Sequence, residues 1–437
     1  MHQCIGIMTG NSLDAVDVVL TRFNGSKMED VCGYTLDIPT GLSDRFRTLK
    51  NQLSENGGNI DALAADPQTG FDRLHDEYVA IVARAVNEMI AKENINRQEI
   101  DLIGFHGQTC GHCPPSIARS KDPRDIFTLQ IGSGQMLADL TGIPVAYDFR
   151  SDDVMNLGEG APLAPVHNQH IAADLKTKGI FPVAFCNAGN TGNIAIISED
   201  TRTGKETVMG WDTGPFNHLI DYLCRSELKQ PYDRNGEFGR RGKINFELLR
   251  QLFEQAVITK DNENFLLKSP PKSSDPAWYR IIPQLNDQSL SIYDRICTVE
   301  FFSAYAFAYT LKFIPEYLLK PEYFLIFGGG WKNPLALEDF KNLLAGKAEV
   351  LPEHYEIFDT IKTPQAAVDW SDRYGYNGQY MEARIFADMA KCCLTGEPFS
   401  FPGTTGCQTP TVGGIIARPG GNDKRRWSRA AKGWADK

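Results

Sequence analysis

An apolar run at residues 4–8 breaks off at Thr9, Gly10, Asn11 and Ser12, and a second run, 15–23, returns from the break. A third follows at 31–38. The pattern predicts three strands, the first two joined as a hairpin through a tight polar turn. Between 71 and 90 the period changes, and Leu74, Tyr78, Ile81, Val82, Ala85 and Met89 fall on one face of a helix. Short apolar strands at 102–105, 127–131 and 145–147 then alternate with a helix around 136–140. That alternation predicts a parallel or mixed α/β sheet.

The opening arrangement recurs. A strand at 183–185 enters a polar turn, 187–193, containing Gly189 and Asn190, and a strand at 194–197 returns. Two strand–turn–strand units about 180 residues apart imply two related halves facing one another across a cleft. This is the layout of actin-like, sugar-kinase and heat-shock ATPases. A short run at 207–209 then leads into Gly210, Trp211, Asp212, Thr213, Gly214, Pro215, Phe216 and Asn217, with a helical pattern from 218 to 224. A long helical zone covers 290–313. A strand at 323–327 empties into Gly328, Gly329 and Gly330, Asn333 and Pro334 start a helix, and a last helix, 381–390, carries Glu382 near its start.

Length and composition narrow the classes. A chain of 437 residues is long enough for two domains, and 42% hydrophobic with 23% charged residues is ordinary for a soluble globular protein. A net charge of -10 argues against nucleic acid or an anionic membrane as the main partner. No apolar run reaches the ~18 residues of a membrane span, and a charged-then-apolar leader is not expected. Ten scattered cysteines suit reduced thiols in a cytoplasm. His106, Cys110, His112 and Cys113 form the densest group, but a second ligand pair at finger spacing is missing, which argues against zinc.

Five polar stretches carry the candidate chemistry. Asp212, where a strand hands over to a helix, can accept a proton in a half-dry cleft; an ordinary helix N-cap aspartate fits the same pattern. The N–H groups and hydroxyls of the first turn can face an anion, and Asp14, which with Asp17 flanks it, can position Mg²⁺ through water. Three glycines after a strand let backbone lie flat against a nucleotide. His106, Gly107, Gln108 and Thr109 end one strand and Asp148, Phe149 and Arg150 another, where α/β folds bind ligands.

Together these stretches resemble the anhydro-N-acetylmuramic acid kinase family, up to about Gly414. Residues 6–17 are similar to its Gly-x-Met-Ser-Gly-Thr-Ser-x-Asp-Gly-x-Asp ATP loop. His106 to Thr109, Asp148 to Arg150 and Gly160 to Leu163 match directly, and Asp212, Thr213, Gly214, Pro215 and Asn217 fit its Asp-Thr-Gly-Pro-Gly-Asn. Gly328 to Gly330 with Asn333, Met381 to Ala383 with Phe386 and Ala387, and Thr405, Gly406 and Gly414 fit three more signatures.

The resemblance implies a two-domain actin-like ATPase (sugar kinase) fold of ribonuclease H-like halves, with residues 1–180 as the first half, 181–417 as the second and 418–437 as a basic tail. It implies an ATP- and Mg²⁺-dependent kinase that opens a 1,6-anhydro sugar and phosphorylates O6 for cell-wall sugar recycling, as a cytoplasmic homodimer. Asp212 is then the catalytic base. Thr9, Gly10, Asn11, Ser12, Asp14, Asp17, Gly189, Asn190, Gly328, Gly329, Gly330 and Asn333 hold the nucleotide, and Asp14 the metal. His106, Gln108, Asp148, Arg150, Thr213, Gly214 and Glu382 contact the sugar. The chain departs from the family at Thr9, Asn11, Ala15, Glu159, Asn190, Phe216 and 274–276. Two alternatives follow: a kinase for another anhydro sugar such as levoglucosan, or a non-catalytic ATP-binding relative. A Phe216 ring turned into the cleft would favour a smaller sugar, and one turned into the core would say nothing about it.

Overall fold

The computed structural model describes residues 1–10, 13–25, 27–115, 118, 125–259, 261–270, 272–274 and 278–431. The expected ligands Asn11 and Ser12, and the departures at 275–276, lie outside them. The strands are β1 (His2–Thr9), β2 (Ala15–Asn24), β3 (Lys27–Asp37), β4 (Leu102–Phe105), β5 (Gln108–Cys113), β6 (Phe127–Ile131), β7 (Val145–Tyr147), β8 (Val183–Ala188), β9 (Thr191–Glu199), β10 (Glu206–Pro215), β11 (Tyr323–Phe327), β12 (Ala367–Trp370) and β13 (Ile415–Ala417).

Two sheets share one plan. The first runs β13-β7-β4-β1-β2-β3 and the second β10-β9-β8-β11-β12. In each, the first three strands form an antiparallel meander, and two later strands add in parallel beside the first. Ignoring the edge strand β13, both therefore read third–second–first–fourth–fifth. This is the pair of ribonuclease H-like halves expected of an actin-like sugar kinase. The added strands β4 and β7 are buried at every position, as parallel strands covered on both faces must be.

The chain divides into two compact units, Met1–Asp174 with Gly375–Lys437, and Leu175–Tyr374. Each has its own apolar core. The division differs from the expected one, which kept everything to residue 417 in the second half. The reason is the helix Met381–Thr395, which lies on β1 and β4. A Cβ on Gly6 would sit 1.9 Å from the Ala383 carbonyl oxygen, and one on Gly104 would sit 1.9 Å from that of Phe386. Only glycine admits a helix so close to a sheet. Buried Arg384 on this helix forks onto Asp30 of β3, and the Tyr376 hydroxyl donates to Asp174 at 2.6 Å.

Three local expectations change. The polar stretch after residue 106 is not a loop: β5 starts at Gln108 and pairs with β6. Asp212 is not at a strand-to-helix handover but inside β10, at a register shift between Asp212 and Gly214. Phe216, not Asp212, occupies the N-cap position of the following helix, Asn217–Leu223, without a side-chain capping bond. The basic tail is edge-packed through Ala431, with Trp427 bridged to Ile131. Among the described residues no helix is long and apolar enough to cross a membrane.

Candidate functional site

Asp212 is carried by β10, and the bulge that follows it frees the strand from strict pairing with β9. Its half-buried carboxylate accepts from the Ser274 N–H at 2.7 Å, the Ser274 hydroxyl at 3.1 Å and the Ser273 hydroxyl at 3.2 Å, all on Oδ2. Its N–H donates to the Lys272 carbonyl at 3.1 Å. The Ser274 hydroxyl continues to Tyr279 at 2.6 Å, and Tyr279 to Thr191 at 2.7 Å. Burial raises the Asp212 carboxyl above its ordinary value, against the Ser274 and Ser273 bonds and the nearby Lys272 cation. Lys272 is buried beneath the rings of Phe265 and Phe313, 4.6 and 4.7 Å away. Burial first, and then the Lys312 charge, lower it to about 7. An oriented carboxylate made more basic by burial, with one oxygen uncommitted among the described residues, is equipped to take a proton.

Beside it, Thr213 is buried and Gly214 has φ +122°, a conformation suited to glycine. Gly189 and Asn190 make the β8–β9 turn, whose carbonyls accept from the Asn217 and Phe216 N–H groups at 3.1 and 2.8 Å. That turn is thus locked to the start of the helix after β10. The three glycines differ in role. A Cβ on Gly328 would meet Asn187 Oδ1 at 2.5 Å, and one on Gly330 would meet the Phe216 ring at 2.5 Å. Only Gly329 faces open space. Asn333 caps the helix Pro334–Leu344 and donates to Glu300 at 2.5 Å, so both ends of its amide serve the fold. Phe216 is 1% exposed and meets Trp331 edge-on with centroids 4.7 Å apart, which places its ring in the core.

In the first unit, the Thr9 hydroxyl at the end of β1 joins Gln108 and Tyr78, each at 2.9 Å. Gly10 accepts from Leu13, whose φ of 56° tightens the turn, and the Asp14 carbonyl accepts from Ile38. The Asp14 side chain is exposed. Asp17 accepts from Thr35 at 2.6 Å and from Gln379 at 3.1 Å. The surrounding protein, then the Asp17 carboxylate, raise the Glu382 carboxyl, although Glu382 keeps an exposed face.

His106 and Arg150 form a fixed pair. Arg150 Nε donates to His106 Nε2 at 2.9 Å and Nη1 to the Gly160 carbonyl at 2.6 Å. His106 Nδ1 lies 2.9 Å from the Gly107 carbonyl, so the tautomer assigned by these partners carries its proton on Nδ1. Burial and then the guanidinium push His106 well down, so it is neutral, and burial brings Arg150 to about 10. Asp148, with φ 60°, has both oxygens engaged: Ser151 on Oδ1, and the N–H and Nε of Arg429 on Oδ2 at 2.9 and 2.7 Å. Both of its oxygens thus hold the turn, one to Ser151 and one to Arg429.

The described ones among the expected residues thus divide between the two units. Three partners went unassigned by the sequence. Ser274 reaches Asp212 across 62 positions, Tyr279 reaches Ser274, and Arg429 reaches Asp148 across 281. No spacing rule spans such separations, and the basic tail offered only its charge. Among the described residues, His170, Asp388 and Cys392 put ligand-type atoms within 4.8 Å of one another. There the Asp388 carboxylate already receives His167 and His170, at 2.9 and 2.7 Å.

Comparison with known proteins identifies the family. The family model described as anhydro-N-acetylmuramic acid kinase matches residues 2–419. The protein of that name from Rhizorhabdus wittichii is 32% identical over 420 residues, covering 95% of this chain and 98% of its own length. That of Nitrobacter winogradskyi is 30% identical over 430 residues, covering 96% of this chain and all of its own. A ROK family glucokinase from Streptomyces griseus, 14% identical, covers 89% of this chain and 99% of its own, with a TM-score of 0.32 that is too low to carry weight. The chain belongs to the anhydro-N-acetylmuramic acid kinase family.

Proposed function

We propose that this chain is an ATP-dependent kinase of anhydro-N-acetylmuramic acid, which opens the 1,6-anhydro ring and phosphorylates O6 to give N-acetylmuramic acid 6-phosphate. The observation that carries the reading is the Asp212 carboxylate, oriented by Ser273 and Ser274 and raised by burial. Asp212 takes a proton from water as that water's oxygen bonds to C1. The C1–O6 bond breaks, O6 bonds to the γ-phosphorus of ATP, and ADP leaves. The second proton of the water remains on the new C1 hydroxyl. Phosphoryl transfer needs positioning and charge neutralisation more than a covalent nucleophile, which suits a set of residues without one.

The turns at Thr9–Gly10 and Gly189–Asn190 and the open face at Gly329 are assigned to the nucleotide. His106, Gln108, Arg150, Thr213, Gly214 and Glu382 are assigned to the sugar. Arg150 leaves Nη2 without a partner among the described residues, so it can still donate to a sugar oxygen. Mg²⁺ suits an exposed carboxylate such as that of Asp14. Asp14 would hold the ion, whose part is to neutralise phosphate charge. The homodimer and the cytoplasmic location follow from the family resemblance, and sedimentation of the purified chain tests the former.

ADP release in the presence of anhydro-N-acetylmuramic acid, levoglucosan or no sugar tests the reading. Turnover confined to the first is the expected result. Turnover with levoglucosan alone would reassign the sugar, and none with any would leave only a nucleotide-binding relative. The core position of Phe216 means that its ring says nothing about the size of the sugar.

A further inference from the structure

The family match ends at residue 419, yet the chain beyond it is built into the first unit. Residues 426–430 run alongside β6. The Gly132 N–H donates to the Arg426 carbonyl at 2.8 Å, the Ser428 N–H to that of Gln130 at 3.0 Å, and the Thr128 N–H to that of Ala430 at 2.9 Å. The Ser428 hydroxyl accepts from the Gln130 N–H at 3.0 Å, and Trp427 sets its ring edge-on against Phe71, centroids 5.6 Å apart. The tail is thereby an added edge on the β5–β6 hairpin, the hairpin whose first residue is Gln108.

From this edge Arg429 reaches the turn after β7. Its N–H and Nε both meet Asp148 Oδ2, and its Nη2 meets Asp152 Oδ2 at 2.7 Å. The Ala430 N–H donates to the Ser151 hydroxyl at 2.9 Å, and that hydroxyl donates to Asp148 Oδ1. Asp148 is 3% exposed and sits at positive φ, so an unpaired carboxylate there would be costly and the turn free to relax. Two residues on, Arg150 holds His106. One arginine therefore ties together the tail, two carboxylates and the turn that aims the Arg150–His106 pair.

We infer that Arg429 is a positioning residue for the sugar: through Asp148 it fixes the turn that presents Arg150 and His106. The inference rests on the assignment of that pair to the sugar. The test uses the full chain with Arg429→Ala, Arg429→Lys and, separately, Arg150→Ala, each assayed well below its melting temperature with sugar and ATP varied in turn. Arg429→Ala is expected to raise the sugar KM about ten-fold while the ATP KM stays within about two-fold. Arg429→Lys, which keeps the charge but loses the planar fork of donors, is expected to recover part of that loss. A structural brace would lower the melting temperature and the active fraction, moving kcat but neither KM. An unchanged sugar KM in folded Arg429→Ala overturns the inference. Should that variant not fold, an unchanged sugar KM in Arg429→Lys overturns it equally. An Arg150→Ala that leaves the sugar KM intact would remove the site assignment itself, whereas a ten-fold rise there with none at Arg429 leaves the assignment standing and the inference refuted.

Discussion

At the scale of single residues, the pair Asp212 and Lys272 sets the expected behaviour. Asp212→Asn keeps the shape but cannot take the proton, so turnover should fall by roughly 10²–10⁴ with the thermal transition nearly unmoved. Near-normal ADP release from that variant would end the proposed mechanism. Because burial raises Asp212, the acid limb of kcat/KM should lie above the ordinary carboxylate value of 3.8. Lys272 opposes that rise, so Lys272→Met should move the limb to still higher pH; a limb that stays put would mean the cation does not reach the base. Stability carries a second sign. Lys272 titrates at about 7 in the folded chain against 10.5 ordinarily, so between those values the unfolded chain binds the extra proton. Unfolding free energy should therefore rise with pH across that window relative to Lys272→Met, as denaturant titrations at several pH values would show.

At the scale of elements, the glycine run after β11 separates two reasons for having no side chain. Gly330→Ala drives a methyl group into the Phe216 ring and should destabilise by about 1–3 kcal/mol, the usual range for overpacking. Gly329→Ala meets nothing within 4 Å and should leave stability alone while weakening ATP binding measured by calorimetry. Unchanged ATP affinity in Gly329→Ala would withdraw this loop from the nucleotide site. Phe216→Ala should cost about 3–5 kcal/mol, as large core truncations do, without changing the preference between anhydro sugars. The triple glycine reads as a loop against a ligand, but neighbours distant in sequence give two of its members structural duties. In the same way the polar stretch after residue 106 reads as a ligand loop, and pairing with β6 turns most of it into a strand.

For the whole molecule, two separate cores predict that damage to one leaves the other folded. Gly6→Val forces a side chain into the Ala383 carbonyl and should lower the melting of the first unit; calorimetry should then resolve two transitions where the parent chain shows closer ones. A single transition shifted as one would mean that the units unfold as one cooperative block. The alternation of strands and helices, the repeat of a strand–turn–strand unit, and the motifs around Thr9, His106, Asp212 and Gly328 were all readable from the chain, because periodicity and turn chemistry are local. They sufficed for the fold class and the family. What lay beyond them depended on contacts between residues far apart in sequence. The helix Met381–Thr395 joins the first unit because Gly6 and Gly104 admit it, Phe216 turns inward because Trp331 and Gly330 make room for its ring, and Ser274 and Arg429 reach Asp212 and Asp148. Local pattern names the elements and the reactive groups; only packing decides which face each presents and which distant side chain holds it in place.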